Sequence, residues 1–325
     1  MKTISYLGSI ILFLLLIWLS SCNLPTHIGT TNPTKKQPTI ISTEITLQPT
    51  NLTPPTQLIN QTANSTSTPV VVPGKWMVNA EKLAVVFIKD DDMLEVYSQP
   101  GTGQPLVSKL EPDMIDITPS GQIQWIGKDL WLEINVGERS KGWVNAYYLT
   151  QQISSEEFCN DSRVLELLRE LANAVAERDG YKLLKLTSPT HGLAIKHEWW
   201  NPTVIYQAKE QTENIFTDRT SSSWGIQDGS GLPLEGAFQD IILPSLDEVF
   251  RDHSLHCDTL EQGLAAGGTT GFIQWPFEFS NINYYSMYRD APQGDDLNWR
   301  TWAIGVEYID STPYAVVMVQ YHWEI

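Results

Sequence analysis

Hydrophobic and polar positions divide the chain into stretches with different periods. An unbroken apolar run covers Ile10 to Leu19, and a polar stretch without one aromatic residue fills residues 23–74. From Trp76 to about Gln152 short apolar runs alternate with Gly, Pro and Asp: "LAVVFI", "MLEVYSQPGTG", "DMIDITPSG", "IQWIG", "LWLEINV" and "KGWVNAYYL". Runs this short, broken by turn residues, predict a small all-β domain over residues 75–153 that needs no helix. The period then changes. Val164, Leu167, Leu168, Leu171, Ala174 and Val175 recur at three- and four-residue spacing, which places them on one helix face. Asp161 or Ser162 caps the start of that helix and Gly180 fits its stop. "YKLLKL" predicts a second short helix, and "PSLDEVFRDH" a third, opened by Pro244. The runs "WAIGVEYI" and "YAVVMVQYHWEI", joined by turn chemistry at Asp310 to Pro313, predict a long antiparallel hairpin. Residues 155–325 are thus expected to form an α+β domain with helices packed on an antiparallel sheet.

Composition explains the aromatic-free stretch. Of its 52 residues 24 are Thr, Pro or Ser, too few apolar groups to drive folding. A flexible coil of that length spans on the order of 40 Å, so residues 23–74 are expected to be a disordered tether. The formal charge of the 325-residue chain is −17, and residues 155–325 carry 11 Lys/Arg against 26 Asp/Glu. That balance excludes nucleic acid as a partner, because its affinity rests on cationic contacts to phosphate.

Residues 1–22 place Lys2 before the apolar run and small residues after it, ending Leu19-Ser20-Ser21-Cys22. The run is too short to span a bilayer, which needs roughly 20 residues. The segment resembles the signal peptide and lipobox of bacterial lipoproteins. The resemblance implies a diacylglyceryl group on Cys22, cleavage before it, and an extracytoplasmic protein held on the membrane by its lipid.

Two pieces of the β domain carry a second resemblance. "LEVYSQPG" (Leu94 to Gly101) and "GWVNAYYL" (Gly142 to Leu149) look like the opening and closing signatures of bacterial SH3-like domains, and Trp131 falls on the strand expected between them. Tyr97 and Gln99 depart from the usual Arg and Gly, and the acidic Asp90-Asp91-Asp92 precedes the signature. The resemblance implies a small barrel. Tyr97, Trp131, Trp143 and Tyr147 either line a ligand groove on it or fill it.

In the last domain the order and length of elements resemble the NTF2-like superfamily. Cys159 and Cys257, left over once Cys22 is lipidated, make one expected disulfide in an exported protein. Trp199, Trp200, Trp299 and Trp302 are candidates for an aromatic ligand surface or for core. Adjacent Trp199 and Trp200 cannot both point inward from a strand. Catalytic motifs fail in turn. "EFCND" and "LHCDT" lack the context of a wall cysteine peptidase, "SPTHGLA" has Leu193 where a transpeptidase cysteine belongs, and Trp199 to Asn201 after His197-Glu198 break H-E-x-x-H. No G-x-S-x-G is present. His253 and His256, three apart on the expected helix, with Asp252 or Asp258 offer a metal set. The bland reading of a polar helix end stands beside it. Asp290, Asp295, Asp296 and Glu307 are acids that a cleft would have to gather.

No catalytic residue, metal or cofactor is assigned. The leading expectation is non-enzymatic binding at the cell envelope, to peptidoglycan or an envelope protein. The alternative is an envelope hydrolase acting on a glycan or peptide through carboxylates of residues 155–325.

Overall fold

A computed structural model describes residues 74–325 except 228, 261–262, 264–273 and 324–325. The lipobox, Cys22 and almost all of the polar stretch lie outside the described residues. No described helix is long and apolar enough to cross a membrane.

The chain enters through α1 (Lys75–Asn79), a short helix in a region where the sequence predicts only strands. It buries Trp76 and Met77, whose bulk fills the open side of a small sheet. The strands that follow are β1 (Leu83–Val85), β2 (Leu94–Tyr97), β3 (Leu106–Leu110), β4 (Pro119–Ile126), β5 (Asp129–Asn135), β6 (Lys141–Asn145) and, after a 3-10 turn at Ala146–Tyr148, β7 (Leu149–Gln151). Five of them form a sheet in the order β3-β2-β6-β5-β4, and β1 pairs with β7. Leu94, Val96, Leu132, Ile134 and Val144 point to one core, as the period of two requires. Gly142 lets β2 approach β6: a Cβ there would lie 2.4 Å from Val96 Cγ1. Among the described residues the sheet does not close, since β3 and β4 stay edges.

The second lobe opens with α2 (Ser155–Asn160), α3 (Ser162–Glu177) and α4 (Gly180–Leu186). The six apolar positions predicted for one face of α3 are all buried. Asp161 caps α3, accepting from Arg163 N at 3.0 Å. The helix ends at Arg178 in the left-handed region (φ 57), whereas Gly180 opens the next helix. Gly180 is glycine for another reason: a Cβ would fall 1.9 Å from the Glu213 carbonyl oxygen.

Then come β8 (Leu193–Lys196), β9 (Val204–Tyr206), α5 (Lys209–Glu213), a small ladder of β10 (Ser222–Ile226) with β11 (Pro233–Gly236), α6 (Phe238–Ile241), α7 (Leu243–Arg251), β12 (Ser254–Cys257), β13 (Asn283–Arg289), β14 (Arg300–Ile309) and β15 (Thr312–His322). The main sheet runs β12-β13-β14-β15-β8-β9. It is mixed, not purely antiparallel, because β15 pairs with β8 in parallel. The predicted hairpin is β14–β15, turning through Asp310 and Ser311, both at positive φ (50 and 62), as a two-residue hairpin turn demands. Helices α3 and α7 cover one face of this sheet, and a second apolar layer with Trp299 and Tyr321 covers the other. Burial on both faces explains why β14 and β15 read as continuous apolar runs. Cys159 and Cys257 are joined, Cα to Cα 5.8 Å, and tie α2 to the edge strand β12.

The whole described chain belongs to one compact unit. Ile309 and Tyr314, at the hairpin tip, pack into the core of the first lobe.

Candidate functional site

The lobes meet around a buried pair. Gly192, at φ 73, turns the chain into β8, and the preceding His191 faces Glu307 of β14. Nδ1 lies 2.9 and 2.8 Å from the two carboxylate oxygens. Nε2 donates to the Tyr147 carbonyl at 2.8 Å. Thr150 Oγ1, from β7, donates to Glu307 Oε2 at 3.3 Å. Both acid and imidazole side chains are 0% exposed. Phe87, itself at φ 62, stacks on His191 at 4.9 Å. Backbone bonds from Val86 N to Tyr148 O and from Phe87 N to Glu278 O, and Asn281 reaching Val85 O, extend the seam.

Beside this seam a groove of about 770 Å³ separates the lobes. The first lobe contributes Trp125, Lys128, Asn145 and Tyr148, and the second contributes Gln207 and Lys209. Trp125 is 50% exposed. It stands on β4 beyond the end of the core. Tyr147 also lines the groove, and burial pushes its hydroxyl up to about 12.

The predicted groove residues therefore divide. Trp143 pairs in register with both Tyr97 and Glu133, so these three share the outer face of the first sheet. Trp131 joins them, its ring 5.9 Å from that of Tyr97. Trp131 and Trp143 are buried there, and Tyr97 donates to Glu95, which raises its pKa. Tyr147 lies elsewhere, on the 3-10 turn at the seam. No single groove holds all four.

The predicted C-terminal aromatic surface is corrected more strongly. Trp299 and Trp302 are fully buried, and Trp302 Nε1 donates to Ser245 Oγ at 3.2 Å. Both lie in or just before β14, the strand covered on both faces. Trp199 is half-buried in the second apolar layer, and Trp200 is 40% exposed.

The histidine set does not form on a helix. Helix α7 stops at Arg251. His253 follows it, close to the Val249 carbonyl at 3.0 Å, with its pKa lowered by burial. His256 sits on β12, 2.8 Å from Ser254 Oγ. Among the described residues one potential metal group is compact, Cys159, Cys257 and Asp258, and both of its sulfurs are in the disulfide. Nor do the four acids meet. Asp290, Asp295 and Asp296 are exposed around the β13–β14 loop, while Glu307 is buried seven residues along β14, roughly 25 Å away at strand rise. A cluster the sequence did not disclose lies at the C-terminal end of β15. There His322 Nδ1 is 2.5 Å from Glu198 Oε1, and Gln320 links it to Ser245. It is buried and outside the groove.

Comparison of the chain with protein-family models, with curated proteins and with solved structures finds no match.

Proposed function

We propose that the protein is a bacterial envelope lipoprotein, anchored through Cys22, that binds a wall polymer without breaking it. The observation that carries this reading is the inter-lobe groove, lined by the exposed Trp125, the half-buried Tyr147 and Tyr148, amides and lysines. Its size is that of a ligand site. Its chemistry is that of recognition. Glycoside hydrolysis uses two opposed carboxylates, and the groove lining offers one, Asp129. The two His–Glu pairs lie buried outside that lining.

The strand order of the first sheet and its Gly142-Trp143-Val144 strand support an SH3-like reading of residues 75–153. Three leading helices and the order β12-β13-β14-β15-β8-β9 support an NTF2-like reading of the second lobe. The space beneath the sheet is filled by Phe158, Leu168, Trp302 and Met318, which supports recognition at the inter-lobe groove.

The test has two arms. Full-length protein in detergent is sedimented with purified sacculi, and membranes are fractionated from cells making Cys22→Ala. Sedimentation with sacculi and release of Cys22→Ala from the membrane are expected. Protein that stays in the supernatant overturns wall binding; a variant that stays on the membrane overturns the anchor.

A further inference from the structure

The geometry points to an anionic sugar polymer as the occupant of the inter-lobe groove, held by Lys128 and Lys209 from opposite walls over the rings of Trp125 and Tyr148. The inference rests on the wall-binding reading and names the chemistry of its ligand.

Three observations carry it. The first is charge. In a chain of formal charge −17, the charged groups lining this groove are Lys128, Lys209 and Asp129. The lining is therefore net positive where the molecule is strongly negative. The second is the state of the lysines. Lys82, Lys141, Lys182 and Lys196 each reach a carboxylate. Lys109 reaches one as well, whereas among the described residues Lys128 and Lys209, like Lys75, Lys89 and Lys185, reach none, which leaves the two groove lysines available to an anion. Both are exposed. Lys128 sits in the β4–β5 turn and Lys209 opens α5, so an anion lying in the groove meets a cation from each lobe.

The third is the aromatic part of the lining. A half-exposed Trp125 and a half-buried Tyr148 offer flat apolar faces with polar edges. Asn145, Gln207 and Thr190 supply donors and acceptors beside them. Sugar rings present an apolar face and a rim of hydroxyls, which fits this alternation. An extended acidic peptide would satisfy the lysines but leave the ring faces without a matching surface. Carboxylate and phosphate groups on a glycan are equivalent to the lysines, so the shared chemistry is a glycan bearing regular negative charge.

The test uses the full-length protein and three soluble probes, followed by tryptophan fluorescence. They are a peptide-free glycan strand bearing lactyl carboxylates, a neutral chito-oligosaccharide of equal length, and poly-glutamate. The carboxylated strand should bind best, and should weaken as salt rises from 50 to 500 mM. Lys128→Gln/Lys209→Gln should bind it about tenfold more weakly with unchanged thermal unfolding. Equal binding of the neutral strand, or tighter binding of poly-glutamate, overturns the inference. Sacculi stripped of phosphate polymers with hydrofluoric acid separate the sources. Retained, lysine-dependent binding assigns carboxylates, and lysine-dependent binding lost on stripping assigns phosphates. If the double variant sediments with sacculi as the parent does, the groove assignment fails while the wall-binding reading stands. If the parent itself does not sediment, the wall-binding reading has failed.

Discussion

His191 and Glu307 lie at 0% side-chain exposure between the two lobes, and their removal tests whether those lobes are one folding unit. Glu307→Leu leaves the His191 Nδ1 side and Thr150 Oγ1 without their acceptor. His191→Phe leaves a carboxylate in an apolar site with only Thr150 facing it. Deleting one partner of a buried ion pair costs about 3–5 kcal/mol. Replacing both by apolar groups of similar volume removes that penalty, because no charge is left stranded. Two costs remain in the double variant. The Tyr147 carbonyl loses its Nε2–H donor and Thr150 Oγ1 loses its acceptor, each worth about 1–3 kcal/mol as a buried unsatisfied group. Glu307→Leu/His191→Phe is therefore expected to lose about 2–6 kcal/mol, less than the sum of the two single losses.

The assay is urea unfolding at pH 7, read by tryptophan fluorescence and far-UV dichroism together. Total stabilities of 5–15 kcal/mol are usual, so each single variant should give up a large fraction. Coincident transitions by both probes are expected, because Ile309 and Tyr314 of the second lobe sit in the core of the first. Single losses under 1 kcal/mol, or a double loss equal to the sum of the singles, would refute the reasoning. The pair would then be independent neighbours and not a coupled seam.

Cys159→Ser/Cys257→Ser opens a crosslink of sequence separation 98; the chain-entropy model gives a loss of roughly 4–5 kcal/mol, seen by calorimetry as a fall of roughly 10–20 °C in Tm. Asp161, 14% exposed at its side chain, is held down to about 2 from 3.8, first by its hydrogen bond with Arg163. A depressed folded-state pKa gives stability present above about pH 4 and lost as pH falls towards 2, here about 2 kcal/mol. Asp161→Asn should therefore be less stable than the parent at pH 7 and nearly equal to it at pH 2, measured by urea midpoints. Gly180→Ala forces a Cβ to 1.9 Å from Glu213 O. It should lose more than the 1–3 kcal/mol of ordinary overpacking, whereas Ala at exposed Gly103, where a Cβ meets nothing, pays only for its left-handed φ, so a similar loss at both sites would contradict the steric account.

Local signals were legible where period and position agree. The α3 face follows from 3.6-residue spacing because one side of that helix meets a sheet and the other meets water. The β14–β15 hairpin follows from two long β-branched and aromatic runs with a short polar joint. Failures have equally physical causes. Trp299 and Trp302 looked available to a ligand because tryptophan suits both cores and surfaces; only the layer on the second face of the sheet decides it. Asp252 and His253 carry helical polarity but form the link to edge strand β12, which ends at Cys257, bonded to Cys159. Glu307 was one acid among 38. Its partner lies 116 residues away, and no periodicity encodes such a contact. The groove was hidden for the same reason. Trp125, Lys128 and Lys209 come from a strand, a turn and a helix start in two lobes, and nothing in their local sequence marks them as neighbours.

Seam and groove share the 3-10 turn, whose Tyr147 and Tyr148 both line the groove. The Tyr147 carbonyl accepts from His191 and its ring packs 5.1 Å from the imidazole. The 3-10 turn that carries Tyr147 and Tyr148 is thereby fixed from both sides: Asn145 Oδ1 accepts Tyr147 N at 3.0 Å, and Val86 N donates to the Tyr148 carbonyl. On the proposed reading a ligand meets this turn already in place, so ordering the turn subtracts little from its affinity. If the groove binds as proposed, Glu307 is a positioning residue for it, acting through His191 and the turn without lining the groove. A Glu307→Leu protein that remains folded should therefore bind the carboxylated strand more weakly while keeping the salt dependence of the parent, because both lysines are intact. Unchanged affinity in that folded variant would mean that the turn holds its place without the pair, and that the pair serves stability alone.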